Sequence, residues 1–173
     1  MNSASTGDPA PQLELSEAYG GQIVLHELLR SRIVVLAFYP SPFGMMCAVE
    51  MRQLKSMYEE FRAAGAEILG IATNSVPVMS AFKERIDLPF PQLADPDGRA
   101  SATFGVLIGK EGYLEGRCNR AVIIVDRDGT IRYRWIARDP AQGEEPDYDE
   151  MLAVCREIAG DLTPPSARSD STR

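Results

Sequence analysis

Three thiols, Cys47, Cys118 and Cys155, and one histidine, His26, are the side chains of this 173-residue chain that suggest nucleophilic or metal chemistry. Three cysteines cannot all pair within one chain and are too few for a secreted disulfide framework, so at least one thiol stays free. None lies close in sequence to another and His26 is remote from all of them, which argues against a structural zinc site. Cys47 differs from the others in its setting: it follows an apolar run ending at Tyr39 and a loop containing Pro40, Pro42 and Gly44, and it opens a stretch of helical periodicity. Unpaired N–H groups at a helix start favour an anion, and such sites lower a thiol's pKa from about 8.5 into a range of about 3.5–7.5. A thiolate held there is a nucleophile. The competing reading makes Cys47 a small buried apolar group, as most cysteines are. Dithiol exchange needs Cys-x-x-Cys, and Glu50 occupies the second cysteine's place.

The elements that would position Cys47 follow from periodicity. Residues 32–39 are continuously apolar and rich in β-branched types, which predicts a central strand covered on both faces. Ser41 is a candidate cap and Pro42 suits a first helical turn, so a helix is expected to run to about Ala64, with Leu54, Met57, Tyr58 and Phe61 inward and Gly65 as its stop. Residues 67–73 read as a second strand, 78–86 as a helix, 100–104 as a short helix and 109–116 as a loop. Residues 121–125 and 130–136 form a hairpin around the turn Asp126-Arg127-Asp128-Gly129, and a last helix spans about 147–159. Residues 12–15 and 22–25, around Gly20-Gly21, suggest a small opening hairpin. The order predicts one α/β domain over 1–162, with a mixed sheet flanked by helices, followed by a flexible tail over 163–173.

Composition narrows the function. With 18 Lys+Arg against 25 Asp+Glu the formal charge is −7, which opposes nucleic acid and anionic membrane surfaces. The apolar run at 33–39 is far shorter than the ~20 residues of a membrane span, and the first residues lack a secretory pattern, so a cytoplasmic protein is expected. Gly109-Lys110-Glu111-Gly112 lacks phosphate-loop spacing. His26 is expected on an exposed turn or short helix, without a catalytic role.

Several segments together resemble the peroxiredoxins, thiol peroxidases of the AhpC/TSA-type redoxins. Gly7-Asp8-Pro9-Ala10-Pro11-Gln12-Leu13 is similar to the family's opening segment. Phe38-Tyr39-Pro40 through Cys47 is similar to its Pro-x-x-x-Thr/Ser-x-x-Cys loop, and Glu50 matches a glutamate often found there. Leu88-Pro89-Phe90-Pro91, Asp95-Pro96-Asp97-Gly98 and Arg120 before Val122 to Asp126 complete the set. Within the family the single-cysteine alkyl hydroperoxide reductase E type is nearest, because no cysteine follows Cys47 at short helical spacing as in bacterioferritin-comigratory proteins.

The resemblance implies a thioredoxin-like fold and a cofactor-free peroxidase. Cys47 would attack hydrogen peroxide or an organic hydroperoxide and become a sulfenic acid. It further implies that Arg120 lowers the thiolate pKa and stabilises the leaving oxygen, that the N–H groups of Met46 and Cys47 bind peroxide oxygens, and that Pro40 shields the sulfur. Glu50 would orient an arginine; otherwise it is a solvated helix charge. Cys118 and Cys155 are candidates for resolving the sulfenic acid. Cys118 would share a face with Arg120 if that segment is extended, whereas Cys155 keeps helical spacing with Met151, Val154 and Ile158 and reads as core. Otherwise reduction falls to an external thiol of thioredoxin, glutaredoxin or mycoredoxin type. A homodimer is implied by analogy. One departure stands out: Gly44 replaces the Thr or Ser hydroxyl that bonds thiolate and substrate, a loss worth ~1.5–3 kcal/mol, or roughly 10- to 150-fold in rate. That departure supports an alternative, a degenerate redoxin acting as a binding, sensing or structural protein.

Overall fold

In a computed structural model of the chain, residues 4–109 and 112–161 are described; the expected tail over 163–173 lies outside them. Among the described residues, seven strands form one sheet in the order β2 (Gln22–Val24), β1 (Glu14–Glu17), β5 (Gln92–Ala94), β4 (Ala66–Ala72), β3 (Ile33–Phe38), β6 (Ala121–Val125) and β7 (Ile131–Ile136). Strands β3 (Ile33–Phe38) and β4 (Ala66–Ala72) pair in parallel, and β3 pairs antiparallel with β6 (Ala121–Val125), so the sheet is mixed. Every residue of β3 is buried, because the sheet is covered on both sides and alternate residues enter separate cores. Ile33, Val35 and Ala37 pack with helices α2 (Met45–Ala63), α3 (Val76–Ile86) and α5 (Tyr148–Asp161). Val34, Leu36 and Phe38 face Leu25 of the short helix α1 (Leu25–Leu28), together with Leu29 and Phe104 at the ends of α1 and of α4 (Arg99–Thr103).

The opening hairpin forms from β1 (Glu14–Glu17) and β2 (Gln22–Val24); its first strand begins later than expected, and its second stops at Val24 because Leu25 starts α1. The hairpin continues into the sheet: β1 pairs antiparallel with β5 (Gln92–Ala94), a three-residue strand too short to show periodicity. The late hairpin of β6 and β7 (Ile131–Ile136) forms as expected. His26 is exposed on α1.

A polar cross-link beneath the sheet fixes the end of β3. A Cβ at Gly70 would overlap the Gln92 amide, so the glycine makes room for that side chain. Gln92 Oε1 in turn accepts the Tyr39 hydroxyl at 2.6 Å. Tyr39 is thereby anchored just before the loop that carries Cys47.

Candidate active site

The chain leaves β3 and makes a tight turn before α2. The Gly44 N–H donates to Ser41 O at 3.0 Å, Pro42 occupies the second turn position, and Phe43 takes the left-handed third position with φ +66°. This turn consumes the residues expected to cap the helix. Gly44, not Ser41, is the N-cap, and α2 starts at Met45. The first helical bond runs from Ala48 N–H to Gly44 O at 2.9 Å, which leaves the N–H groups of Met45, Met46 and Cys47 without helical acceptors. Those of Met46 and Cys47 are the donors expected for peroxide.

The structure brings Cys47, Arg120, Glu50, Pro40 and Gly44 together. Arg120 Nη2 donates to Cys47 Sγ at 3.7 Å, while Nη1 of the same guanidinium pairs with Glu50 Oε2. The three side chains are buried, and Glu50 is a fully enclosed partner of Arg120 instead of a solvated helix charge. One helical turn separates Cys47 from Glu50, so both face the start of β6, where Arg120 enters. Glu50 Oε1 and Arg120 Nε are buried without a hydrogen-bond partner.

Electrostatics at the sulfur oppose each other. Burial pushes the Cys47 thiol above its ordinary value; the Arg120 charge and the Ser41 main chain pull it back, and Glu50 adds to the rise. The expected depression is therefore outweighed by desolvation. Burial also pushes Glu50 up to about 7 against the pull of Arg120.

Gly44 sits where the missing hydroxyl would act. A Cβ built on it would lie 3.7 Å from Cys47 Sγ but also 2.9 Å from Ser41 O, too close without moving the turn. The Ser41 hydroxyl does not replace the lost group; it leans toward Pro42 O at 3.4 Å.

A cavity of about 360 Å³ opens above the sulfur, bounded by Pro40, Met45, Met46, Tyr113, Leu114 and Pro140, with Arg117 and Arg120 as its cations. Sequence reasoning missed Arg117. It matches no family segment, and its place depends on a contact with the end of β4, where Nη1 donates to Asn74 Oδ1 at 3.1 Å and Thr73 O at 3.4 Å.

The other two thiols stand apart, and all three cysteines are free. Cys118 does not share the face of Arg120: it belongs to the core on the far side of the sheet and its thiol donates to Tyr39 O at 3.0 Å. Cys118 pairs with Leu107 in an isolated antiparallel bridge, and the chain bends at Arg120 before β6 starts at Ala121, so strand alternation does not run from one residue to the other. Cys155 is buried in the α5 core with Met151 and Ile158, as its spacing suggests. Burial pushes both thiols up to about 12. Among the described residues no group of three His, Cys, Asp or Glu side chains gathers to hold a metal, and no helix is long and apolar enough to cross a membrane.

Comparison with known proteins gives consistent results. The AhpC/TSA family profile matches residues 6–134. Peroxiredoxin Bcp of Escherichia coli K12 is 32% identical over 135 residues, covering 77% of this chain and 86% of that protein. The crystal structure of peroxidoxin BcpB from Mycobacterium tuberculosis superposes with a TM-score of 0.78 at 29% identity, covering 90% of this chain and 98% of that one. The bacterioferritin comigratory protein of Xanthomonas campestris, whose structures were reported for its alkyl peroxide reduction activity, gives a TM-score of 0.72 at 25% identity over 85% and 92% of the two chains.

Proposed function

Because this chain belongs to the AhpC/TSA family of peroxiredoxins, we propose that Cys47 is the sulfur through which it reduces peroxides. The protein is a thiol peroxidase with a thioredoxin-like fold. The observation that carries the assignment of the site is the Arg120 guanidinium shared between Cys47 Sγ and buried Glu50, at a helix start that opens into a cavity.

In this reading the Cys47 thiolate attacks the terminal oxygen of a hydroperoxide. The S–O bond forms as the O–O bond breaks, Cys47 becomes a sulfenic acid, and the departing alkoxide or hydroxide takes up the proton the thiol gave up. Arg120 stabilises charge on sulfur and on the leaving oxygen, and the Met46 and Cys47 N–H groups hold the peroxide. Pro40 forms part of the wall that limits water. Glu50 is a positioning residue, fixing one edge of the guanidinium so that the other meets the sulfur.

Regeneration falls to an external thiol. It condenses with the sulfenic acid, releasing water and leaving a mixed disulfide that a second thiol opens. The separate burial of Cys118 and Cys155 supports this, as does Arg52 standing five residues past Cys47 with no cysteine in that turn. The reductant is of thioredoxin, glutaredoxin or mycoredoxin type, and the free thiols suit a reducing, cytoplasmic setting. Exposed Phe43, Met45, Val49 and Tyr113 support a homodimer. Loss of the hydroxyl at position 44 makes the protein slower than relatives that carry it, by roughly 10- to 150-fold.

Stopped-flow oxidation of the reduced protein by hydrogen peroxide, with dimedone trapping of the sulfenic acid by mass, tests the assignment. Trapping at Cys47 with a rate well above that of a free thiol is expected. A rate equal to a free thiol's, unchanged in Cys47→Ser, overturns it and favours the degenerate redoxin.

A further inference from the structure

The cavity over Cys47 contains a second guanidinium that the chemistry above leaves unused. Arg117 is held from outside its own loop, by Asn74 Oδ1 at 3.1 Å and Thr73 O at 3.4 Å, both just past the end of β4. Those acceptors are neutral. Among the described residues no carboxylate pairs with Arg117, whereas the charge of Arg120 is shared between Glu50 and the sulfur. A guanidinium fixed by neutral groups keeps its charge for a ligand, and its fork geometry matches a carboxylate.

The cavity also exceeds what the smallest peroxide needs. Its volume of about 360 Å³ falls at the low end of the ~300–1,000 Å³ typical of small-molecule pockets. Its lining also includes Met45, Met46, Tyr113 and Leu114, which contribute apolar surface beside the two guanidinium groups. Apolar walls with one guanidinium not engaged by a carboxylate or the sulfur suit an amphipathic anion better than small, neutral hydrogen peroxide.

We propose that Arg117 is a specificity-determining residue that binds the carboxylate of a short organic hydroperoxide, placing the O–O bond at Cys47. This rests on the reading of Cys47 as the peroxide-reducing sulfur and adds a substrate class to it. The reaction is unchanged: the carboxylate end stays intact, and the O–O bond breaks as the S–O bond forms.

The test compares cumene hydroperoxide bearing a para-carboxylate with its methyl ester, both measured by stopped-flow oxidation of Cys47. In the unmodified protein the carboxylate form reacts about tenfold faster or more, the low end for one hydrogen bond between charged groups. In Arg117→Gln the ratio falls toward one, and Arg117→Lys restores part of it by keeping the charge without the fork. Rising salt lowers the ratio in the unmodified protein, which provides the same reading should Arg117→Gln fold poorly. A ratio near one in the unmodified protein, or one that neither substitution nor salt changes, overturns the assignment of Arg117 while leaving the peroxidase intact. Reaction of the unmodified protein with both compounds at a free thiol's rate removes both readings together.

Discussion

Cys47 and Cys118 are both buried thiols near the end of β3, and burial raises the pKa of each. They differ in what surrounds the sulfur. Around Cys47 stand donors: a guanidinium at 3.7 Å and the unpaired N–H groups of a helix start. Cys118 meets no such cation among the described residues: its S–H donates to the carbonyls of Tyr39 at 3.0 Å and Ile71 at 3.7 Å, and burial, with the charge of Asp95, outweighs the main-chain hydrogen bonds of Thr73 and Tyr39 that pull its pKa down. Burial is common to both; the polarity of the neighbours and access through a cavity separate a nucleophile from a packing group.

The largest break in that contrast is Cys47→Ser, which is expected to abolish sulfenic acid formation, while Cys118→Ala leaves the peroxide rate within about twofold. Dimedone labelling followed by peptide mass mapping checks both. Arg120→Met comes next. Removing one stabilising donor is expected to slow oxidation of Cys47 by about 10²–10³, and leaving Glu50 buried without its partner costs about 3–5 kcal/mol of stability. Stopped-flow kinetics and urea unfolding measure the two effects, and adding Glu50→Gln to Arg120→Met is expected to recover stability but not rate.

Gly44→Ala forces a methyl group against Ser41 O, 2.9 Å from the ideal Cβ; overpacking of that kind costs about 1–3 kcal/mol. Urea midpoints measure it. Gly44→Thr carries the same clash, so its hydroxyl arrives only with a displaced turn.

The smallest effect concerns pH. Because the Cys47 thiol lies above its ordinary value, the oxidation rate is expected to keep rising with pH through the ordinary thiol range. Glu50→Gln removes a negative charge that raises the thiol, so that profile moves to lower pH. Stability responds in another window. Glu50 is raised from 4.5 to about 7, so the folded state holds this proton more tightly than the unfolded one. Its contribution is full below 4.5 and is lost as pH rises to about 7. Glu50→Gln is expected to flatten that decline in a series of urea midpoints.

The sequence disclosed the elements whose patterns are long. The apolar stretch of β3, the inward residues of α2 and the β6–β7 hairpin were legible because burial on two faces, a helical stripe and an Asp-Gly turn each leave a periodic trace. Strand β5 leaves none in three residues; it exists because β1 and β4 pair on either side of it. The constellation of Cys47, Glu50 and Arg120 was readable through family likeness and one helical turn of spacing. Arg117 was not, since only the folding of its loop against Asn74 makes it part of the cavity. The side chosen by Cys118 was hidden for a similar reason: alternation predicts a face only within a regular strand, and Cys118 precedes one.

Phe43 adds a mechanical consequence. A bulky residue with positive φ costs roughly 1–3 kcal/mol and persists only where its surroundings hold it. Phe82 of α3 does the holding, edge-on to Phe43 at 5.3 Å and tilted against Tyr39 at 5.7 Å, so one ring grips the loop at both ends like a clothes-peg. The loop over the sulfur therefore takes its shape from a helix that contributes no group to the proposed chemistry, and trimming that ring would slacken the seat of the proposed nucleophile from a distance.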